Sequence, residues 1–303
     1  MAYSLIGKDF IPPDVHGKVT GKAKYAEDFK FDGMLHARLL TSPIPHARIA
    51  RIDVSKALQM DGVAAVLTAD DVPFIPNLGN PILTNEPAYV GDPILAIAAE
   101  DERTAEDAIQ AINFDFEPLP FVVDPLTSLR PNGPHARTQG NVGNATMQDD
   151  FRSVHWSDDE MAALVNKELP QGEPAREWSV GDLEAGFASA AYTIDESFVT
   201  ASYSHNSMEP RSALAYWENG KCFLYGSSQS QSFPVPALAE YIGIDPANLV
   251  FVAEYCGGGF GSKGAAYPAM SIPAHMARLT GRPVMMRISR EQASYIGSAS
   301  HGF

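Results

Sequence analysis

A glycine-rich stretch in the last fifth of the sequence carries its clearest chemical signal. Residues 254–264 read Glu-Tyr-Cys-Gly-Gly-Gly-Phe-Gly-Ser-Lys-Gly, so five of these eleven residues are glycine. The stretch joins a predicted strand, 249–255, to an alanine-rich segment that we predict as a helix over about 265–279. Glycine lacks a Cβ and therefore lets backbone N–H groups approach a ligand closely, and a helix N-terminus adds unpaired donors. The stretch predicts a loop that holds a phosphate or another electron-rich group.

Two nucleotide-binding motifs can be compared with this loop. The P-loop pattern fails because neither serine nor threonine follows Lys263. The dinucleotide fingerprint G-x-G-x-x-G fits at Gly259, Gly261 and Gly264. No acidic residue follows about 20 positions on, where Arg282 stands instead. An NADP-binding oxidoreductase therefore remains one interpretation, and a glycine turn with a packing role alone is another.

Two polar clusters precede the glycine-rich stretch. Residues 227–232, Ser-Ser-Gln-Ser-Gln-Ser, follow a predicted strand, and ligands of α/β domains collect on such strand-end loops. An ordinary polar turn is the alternative. Residues 204–211 bring together an imidazole, a carboxylate and a guanidinium, although His205 with Glu209 is more often a hydrogen-bonded structural pair. The absence of G-x-S-x-G argues against a serine hydrolase, and eight scattered histidines without H-x-x-x-H spacing argue against a zinc site.

The elements that must position these loops follow from hydrophobic periodicity. Residues 1–125 alternate strands and helices and are interpreted as two β-α-β units: strands 34–40, 47–53, 63–68, 94–99 and 114–117, with helices 54–60 and 104–112. Residues 126–178 are rich in proline and glycine and are predicted as an interdomain connection with a helical part at 158–167. Beyond them we predict helices 182–190 and 235–242, strands 191–199, 213–217 and 221–225, and a hairpin at Asn219-Gly220.

Composition limits the classes of partner. The 303 residues contain 22 Lys and Arg against 37 Asp and Glu, a net charge of −15, which disfavours nucleic acid and anionic membrane surfaces. Two cysteines are too few for an iron–sulfur cluster or a disulfide scaffold. No secretory signal and no apolar run of about 18 residues is evident, so we expect a cytoplasmic protein without a membrane span.

The order of the motifs resembles that of the molybdenum-cofactor subunits of the xanthine dehydrogenase and aldehyde oxidase family. The matching stretches are 18–28, 36–38, 89–93, 181–182, 205–210, 228–229 and 257–263. The resemblance implies an α+β fold, with a small α/β hammerhead domain at 1–125, an extended linker at 126–178 and the first part of a larger molybdopterin-binding domain at 179–303. It also implies a molybdopterin cytosine dinucleotide that carries molybdenum.

The resemblance assigns roles to particular residues. Gln229 matches the family's glutamine that hydrogen-bonds an oxo ligand of molybdenum. Gly258, Gly259, Phe260 and Gly261 match the loop whose backbone approaches the pterin and the metal. Gln229 and Phe260 are thus expected beside the metal without being its direct ligands.

The implied reaction is hydroxylation of a C–H carbon in an aldehyde or an N-heteroaromatic compound with oxygen from water. Gly264 stands where family members often carry a substrate-contacting glutamate, so the resemblance does not imply a purine substrate. Electrons are expected to leave through 2Fe-2S clusters and FAD on partner subunits. The family's catalytic base lies beyond the position that resembles 288–295, so we expect it outside this chain, on the remaining part of the molybdenum subunit. A non-catalytic scaffold subunit is the further alternative.

Overall fold

The computed structural model describes residues 4–73, 75, 81–135, 137–144, 147–163, 176–194, 196, 198 and 200–297. The strands are β1 (Leu35–Thr41), β2 (Ala47–Asp53), β3 (Val63–Leu67), β4 (Pro93–Ala99), β5 (Asn113–Pro118), β6 (Val142–Asn144), β7 (Met147–Arg152), β8 (Ser212–Glu218), β9 (Lys221–Gly226), β10 (Leu249–Val252) and β11 (Val284–Arg287). The helices are α1 (Val15–Val19), α2 (Ser55–Leu58), α3 (Glu102–Gln110), α4 (Pro125–Leu129), α5 (Asp158–Ala163), α6 (Leu183–Ser189), α7 (Val235–Ile242) and α8 (Ile272–Thr280).

One mixed seven-stranded sheet runs through both halves of the chain, in the order β10-β9-β8-β11-β1-β4-β3. Its halves meet where β1 runs parallel to β11, with Leu35 opposite Val284 and Ala37 opposite Met286. The neighbouring β8 then pairs antiparallel with β11. The α+β class is confirmed, whereas the domain boundaries near 125 and 179 stay a prediction because the sheet is continuous between the halves.

The interpretation of the first 125 residues as β-α-β units is wrong. The strands exist, but β2 and β5 form a separate antiparallel pair, while β3 and β4 belong to the seven-stranded sheet. All seven residues of β4 are buried, as its apolar run predicted, and this strand takes a position between β1 and β3. The β2–β5 pair and α3 pack apolar side chains against Ile94, Leu95 and Ile97. Periodicity thus identified the strands but not their partners.

The hairpin that joins β8 to β9 is confirmed. Asn219 and Gly220 have φ angles of 51° and 77°, which is the pair of left-handed residues that a type I′ turn requires. Glu218 and Lys221 lie opposite each other on the two sides of the turn. Because β9 ends at Gly226, this hairpin directs residues 227–229 to one end of the sheet.

Helices α7 and α8 pack with the sheet in the larger of the two apolar clusters. Helix α8 is buried from Ile272 to Ala277, and His275 Nε2 lies 2.9 Å from the Tyr241 carbonyl oxygen of α7. Burial lowers the pKa of His275, which keeps the imidazole neutral. The two helices therefore pack on each other and on the sheet from which the strand-end loops extend.

One other prediction differs from the structure, and one is confirmed for the described residues. The described residues 191–194 lie outside any strand, although 191–199 was predicted as one; 195, 197 and 199 lie outside the described residues. In the predicted connection, residues 158–163 are helical, and 164–167 lie outside the described residues. Within the described part of the chain, no helix has the length and apolar character needed to cross a membrane.

Candidate functional site

The glycine-rich loop, residues 257–264, has an unusual backbone conformation. Gly258, Phe260 and Gly261 have φ angles of 100°, 52° and 99°. A bulky residue such as phenylalanine rarely adopts a positive φ, and such residues cluster where a site constrains the backbone. The Phe260 side chain is 72% exposed, so burial of the ring does not explain the conformation.

Three successive N–H groups of this loop have no acceptor in the described part of the chain. Among the described residues, none accepts a hydrogen bond from the N–H of Gly258, Gly259 or Phe260. The turn is closed by Ser262, whose N–H and hydroxyl both donate to the Gly259 carbonyl oxygen at 2.9 Å. Successive free N–H groups in a loop with positive φ angles form a concavity that binds electron-rich groups.

The expected helix directly after the loop is wrong. Helix α8 begins at Ile272, after a 3₁₀ turn at Pro268–Ser271. Proline disfavours helical geometry in the residue before it, and Tyr267 is indeed extended, with φ −123° and ψ 145°. The donors therefore come from the loop itself and not from a helix N-terminus. The dinucleotide fingerprint lacks the helix that its context requires.

Gln229 is locked into this loop by its carbonyl oxygen. Oε1 accepts from the N–H of Gly261 at 3.0 Å and from the N–H of Lys263 at 3.2 Å. The backbone N–H of Gln229 donates to the Lys263 carbonyl oxygen at 2.9 Å. A Cβ on Gly259 would collide with the Gln229 side chain. Among the described residues no group accepts from the side-chain amide nitrogen of this exposed glutamine, which leaves two donors for a ligand.

The structure thus brings together the residues predicted around the loop: Gln229, Gly258, Gly259, Phe260 and Gly261. Gly264 closes the same loop, where its N–H donates to the Gly261 carbonyl oxygen at 3.4 Å. A Cβ on Gly264 would meet nothing nearer than that oxygen, at 3.6 Å. This position therefore offers space for a side chain that the sequence does not supply.

A buried ion pair anchors the loop to its surroundings. The Lys263 and Glu209 side chains are only 1% and 8% exposed, and Nζ lies 3.4 Å from Oε2. The amine also donates to the Glu209 carbonyl oxygen at 2.6 Å and to the Pro210 carbonyl oxygen at 3.4 Å. Oε2 accepts from the Gly257 N–H at 2.6 Å and from the Ser227 hydroxyl at 2.8 Å. One carboxylate therefore ties together three segments of the site.

This pair corrects the sequence interpretation of residues 204–211. Glu209 was expected to pair with His205, but its hydrogen-bonding partners are Lys263, Ser227 and Gly257. Sequence reasoning did not identify the role of Lys263, because nothing local shows that this lysine is buried and therefore needs a counter-charge. Burial lowers the pKa of Lys263, and the Glu209 carboxylate opposes this shift.

Several buried polar atoms around the loop have no hydrogen-bond partner among the described residues. They are His205 Nδ1, Ser207 Oγ, Glu209 Oε1 and Tyr267 Oη. Buried polar groups in proteins are nearly always hydrogen-bonded, so such a cluster indicates a place for water or a polar ligand. Burial also raises the pKa of Tyr267, which keeps its hydroxyl protonated and able to donate.

These features fit an electron-rich cofactor that is held through backbone and amide donors. Among the described residues, no three His, Cys, Asp or Glu side chains come together as possible metal ligands. The free N–H groups and the Gln229 amide are suited to an anionic group, and the missing Cβ of Gly259 makes room for the Gln229 side chain.

Two family models match the chain. One, described as the a/b hammerhead domain of aldehyde oxidase and xanthine dehydrogenase, matches residues 20–120. The other, described as a molybdopterin cofactor-binding domain, matches residues 165–303, which include the whole glycine-rich loop and Gln229.

Relatives of established name match nearly the whole chain. A probable xanthine dehydrogenase subunit of Bacillus subtilis is 30% identical over 301 residues, which is 96% of this chain and 36% of that protein. The nicotinate dehydrogenase large molybdopterin subunit of Eubacterium barkeri is 27% identical, over 99% of this chain and 65% of that protein. The chain thus spans less than two thirds of the length of these relatives.

Two solved structures have a fold similar to that of this chain. The CO dehydrogenase of Oligotropha carboxidovorans superposes with a TM-score of 0.75 at 25% identity, over 97% of this chain and 36% of that one. The aldehyde oxidoreductase of Desulfovibrio gigas superposes with a TM-score of 0.72 at 26% identity, over 95% of this chain and 30% of that one.

Proposed function

We propose that this chain supplies part of the cofactor site of a molybdenum hydroxylase, on the premise that it belongs to the aldehyde oxidase and xanthine dehydrogenase family of molybdopterin-binding oxidoreductase subunits. The observation that carries the proposal is the set of free donors at the glycine-rich loop. The N–H groups of 258–260 and the Gln229 amide point to a ligand rich in oxygen or sulfur.

The proposed ligand is molybdopterin cytosine dinucleotide with molybdenum. When bound, this group supplies the two-electron chemistry that replaces a C–H bond of the substrate by a C–O bond, with oxygen from water. The chain's own residues bind and orient it. The Gln229 amide donates to an electron-rich atom of the cofactor, and the loop backbone approaches it at Gly258, Gly259, Phe260 and Gly261.

Preorganisation is the second contribution of the chain. Because Gln229 Oε1 already accepts from Gly261 and Lys263, the amide is fixed before the cofactor arrives and loses little entropy on binding. The Glu209–Lys263 pair holds the loop from behind. The proposed substrate is an aldehyde or an N-heteroaromatic compound, and because Gly264 has no side chain that could contact it, the proposal does not include specificity for purines.

The proposal places the remaining functions outside this chain. The catalytic base belongs to the remaining part of the molybdenum subunit, and 2Fe-2S and FAD subunits carry the electrons away. The relatives in Bacillus subtilis and Eubacterium barkeri are both named as subunits, which supports a multi-subunit assembly. We place the complex in the cytoplasm and expect the isolated chain to be inactive and to bind the cofactor poorly.

The test is metal and nucleotide analysis of the native complex that contains this chain. We expect molybdenum and, after acid hydrolysis, a cytosine nucleotide. Gln229→Ala should lower the molybdenum content and abolish aldehyde or heteroaromatic oxidation. Gln231→Ala is the matched control, because Gln231 lies two residues away and its side chain donates to the Ala253 carbonyl oxygen, at 3.3 Å, and to no other described residue.

Two results would contradict the proposal. Bound NADPH in a complex without molybdenum would favour the NADP-binding alternative. Full activity and unchanged molybdenum content in the Gln229→Ala complex would favour a scaffold role for this chain.

A further inference from the structure

Residues 176–203, which we name the open segment, lie on the surface of the molecule wherever the structure describes them. Every described residue in it is exposed: 176–194, 196, 198 and 200–203. Its sequence is nevertheless rich in large apolar side chains, with Trp178 83% and Tyr192 92% exposed. The others include Phe187, Ile194, Phe198 and Tyr203. A soluble surface rarely presents so many large apolar groups in one stretch unless it is an interaction site.

The helix of the open segment points to the same conclusion. Helix α6 has seven residues, and the Asp182 carboxylate caps it by accepting from the Ala185 N–H at 3.0 Å. Leu183 and Phe187, four residues apart, share one face, and none of the residues of α6 is buried. Helices shorter than about 12 residues are marginal in water without packing. A capped, amphipathic helix of which no residue is buried among the described residues indicates a partner that covers it.

The stretch after α6 has the spacing of a strand. Tyr192, Ile194 and Phe198 are separated by even numbers of residues, so an extended backbone would place all three on one face. Aromatic and β-branched residues of this kind favour strands. Since 191–194 pair with no strand here, a partner with an exposed sheet edge could add them as a further strand.

The open segment leads into the candidate site. The Tyr203 and His205 rings are 6.5 Å apart between centroids. His205 Nε2 in turn lies 3.9 Å from the position of a Cβ on Gly261 in the glycine-rich loop. A polypeptide seated on the open segment would therefore lie beside the loop.

We propose that the open segment docks the part of the molybdenum subunit that the relatives carry and this chain does not cover. This inference rests on the proposed function. This chain aligns over 96% of its own length but covers only 36% of the Bacillus subtilis relative, so a large remaining part is available as the occupant. Five aromatic side chains of the segment bury about 150–250 Å² each when covered. Their combined area matches the roughly 800 Å² that each side of a stable interface contributes.

The experiment uses the full 303-residue chain and a purified companion polypeptide that matches the remaining part of the Bacillus subtilis relative, taken either from a separate gene or from a continuation of this chain. We expect a complex in which amide hydrogen exchange of residues 183–194 slows at least tenfold. Phe187→Glu and Tyr192→Glu should each weaken the complex at least tenfold in calorimetric titration. Val123→Glu is the control, because Val123 is equally exposed but lies outside the segment, and it should change the affinity less than twofold.

Several results would overturn the inference. The companion polypeptide does not bind to the chain at all. Alternatively, it binds, but amide hydrogen exchange in the open segment does not slow and the two variants bind it as tightly as the unchanged chain does. Self-association of the chain that Tyr192→Glu abolishes would show that a second copy occupies the segment. Molybdenum content, measured on the same complex, separates the two proposals. If amide exchange in the open segment slows but the complex contains no molybdenum, only the proposed function is contradicted. If the complex contains molybdenum but exchange in the segment does not slow, only the docking proposal is contradicted.

Discussion

Removing the amine of Lys263 should destabilise the protein severely. In Lys263→Met the Glu209 carboxylate loses its counter-charge at 3.4 Å while both side chains are almost fully buried. At that separation the Coulomb attraction is about 5 kcal/mol with an effective dielectric constant of about 20. Breaking a buried pair by removing one partner costs about 3–5 kcal/mol in measured cases. We therefore expect the free energy of unfolding to fall by about 3–5 kcal/mol.

Glu209→Gln should cost less than Lys263→Met. An amide oxygen at position 209 can still accept from Gly257 and Ser227, and the lysine keeps the backbone carbonyl oxygens of residues 209 and 210 as acceptors. The double variant Glu209→Gln/Lys263→Met leaves no charge of this pair buried. Its free energy of unfolding should therefore exceed, by about 2 kcal/mol or more, the value obtained by adding the losses of the two single variants.

The assay is urea denaturation of the four proteins, with the free energy of unfolding obtained at a common m-value. Lys221→Met is the control, since Lys221 is exposed beside the β8–β9 turn and should change stability by less than about 0.5 kcal/mol. A coupling energy between positions 209 and 263 below about 0.5 kcal/mol would refute the view that this pair anchors the loop.

Three further predictions concern individual residues. Gly259→Ala should displace Gln229 and lower the molybdenum content of the native complex several-fold, whereas Gly264→Ala, which meets no atom nearer than 3.6 Å, should leave that content unchanged. Burial raises the pKa of Asp92 from 3.8 to about 6, so ionisation of this carboxyl destabilises the folded state. The free energy of unfolding should therefore fall by about 3 kcal/mol as pH rises from about 4 to above 6. Urea titrations of Asp92→Asn should not show that fall. Burial raises the pKa of both thiols, that of Cys222 to about 12, and Cys222 is buried whereas Cys256 is half-buried. Iodoacetamide at pH 8 should therefore label Cys256 slowly in the native protein and Cys222 only after unfolding; equal labelling rates would contradict this.

Local structure could be predicted from the sequence where a local cause determined it. Asn219-Gly220 requires a type I′ turn whatever surrounds it, and the apolar run of β4 requires burial on both faces. The pairing of the strands could not be predicted, because apolar and polar residues alternate along a strand in the same way whichever strand lies beside it. The β2–β5 pair and the contact of β1 with β11 depend on which faces meet in the folded core.

The helix after the glycine-rich loop shows a second limit. Alanine-rich composition favoured a helix from about 265, but Pro268 and the packing of Tyr267 delay its start to Ile272. Likewise, the alternation of 191–199 has the period of a strand, yet the described residues 191–194 have no neighbouring strand within this chain. A strand needs a hydrogen-bonding partner, and that requirement is not local.

For the candidate site, the sequence by itself determined the ingredients: a glycine-rich loop that can expose its N–H groups, Gln229 on a strand-end loop, and motifs in the order of one enzyme family. These depend on residue type and local spacing. Only the tertiary structure decided that Gln229 inserts its oxygen into the loop, that Glu209 pairs with Lys263 rather than His205, and that the described residues of the open segment are exposed. The physical reason is that buried charges and amide groups find their partners across long stretches of chain, once packing has excluded water from between them.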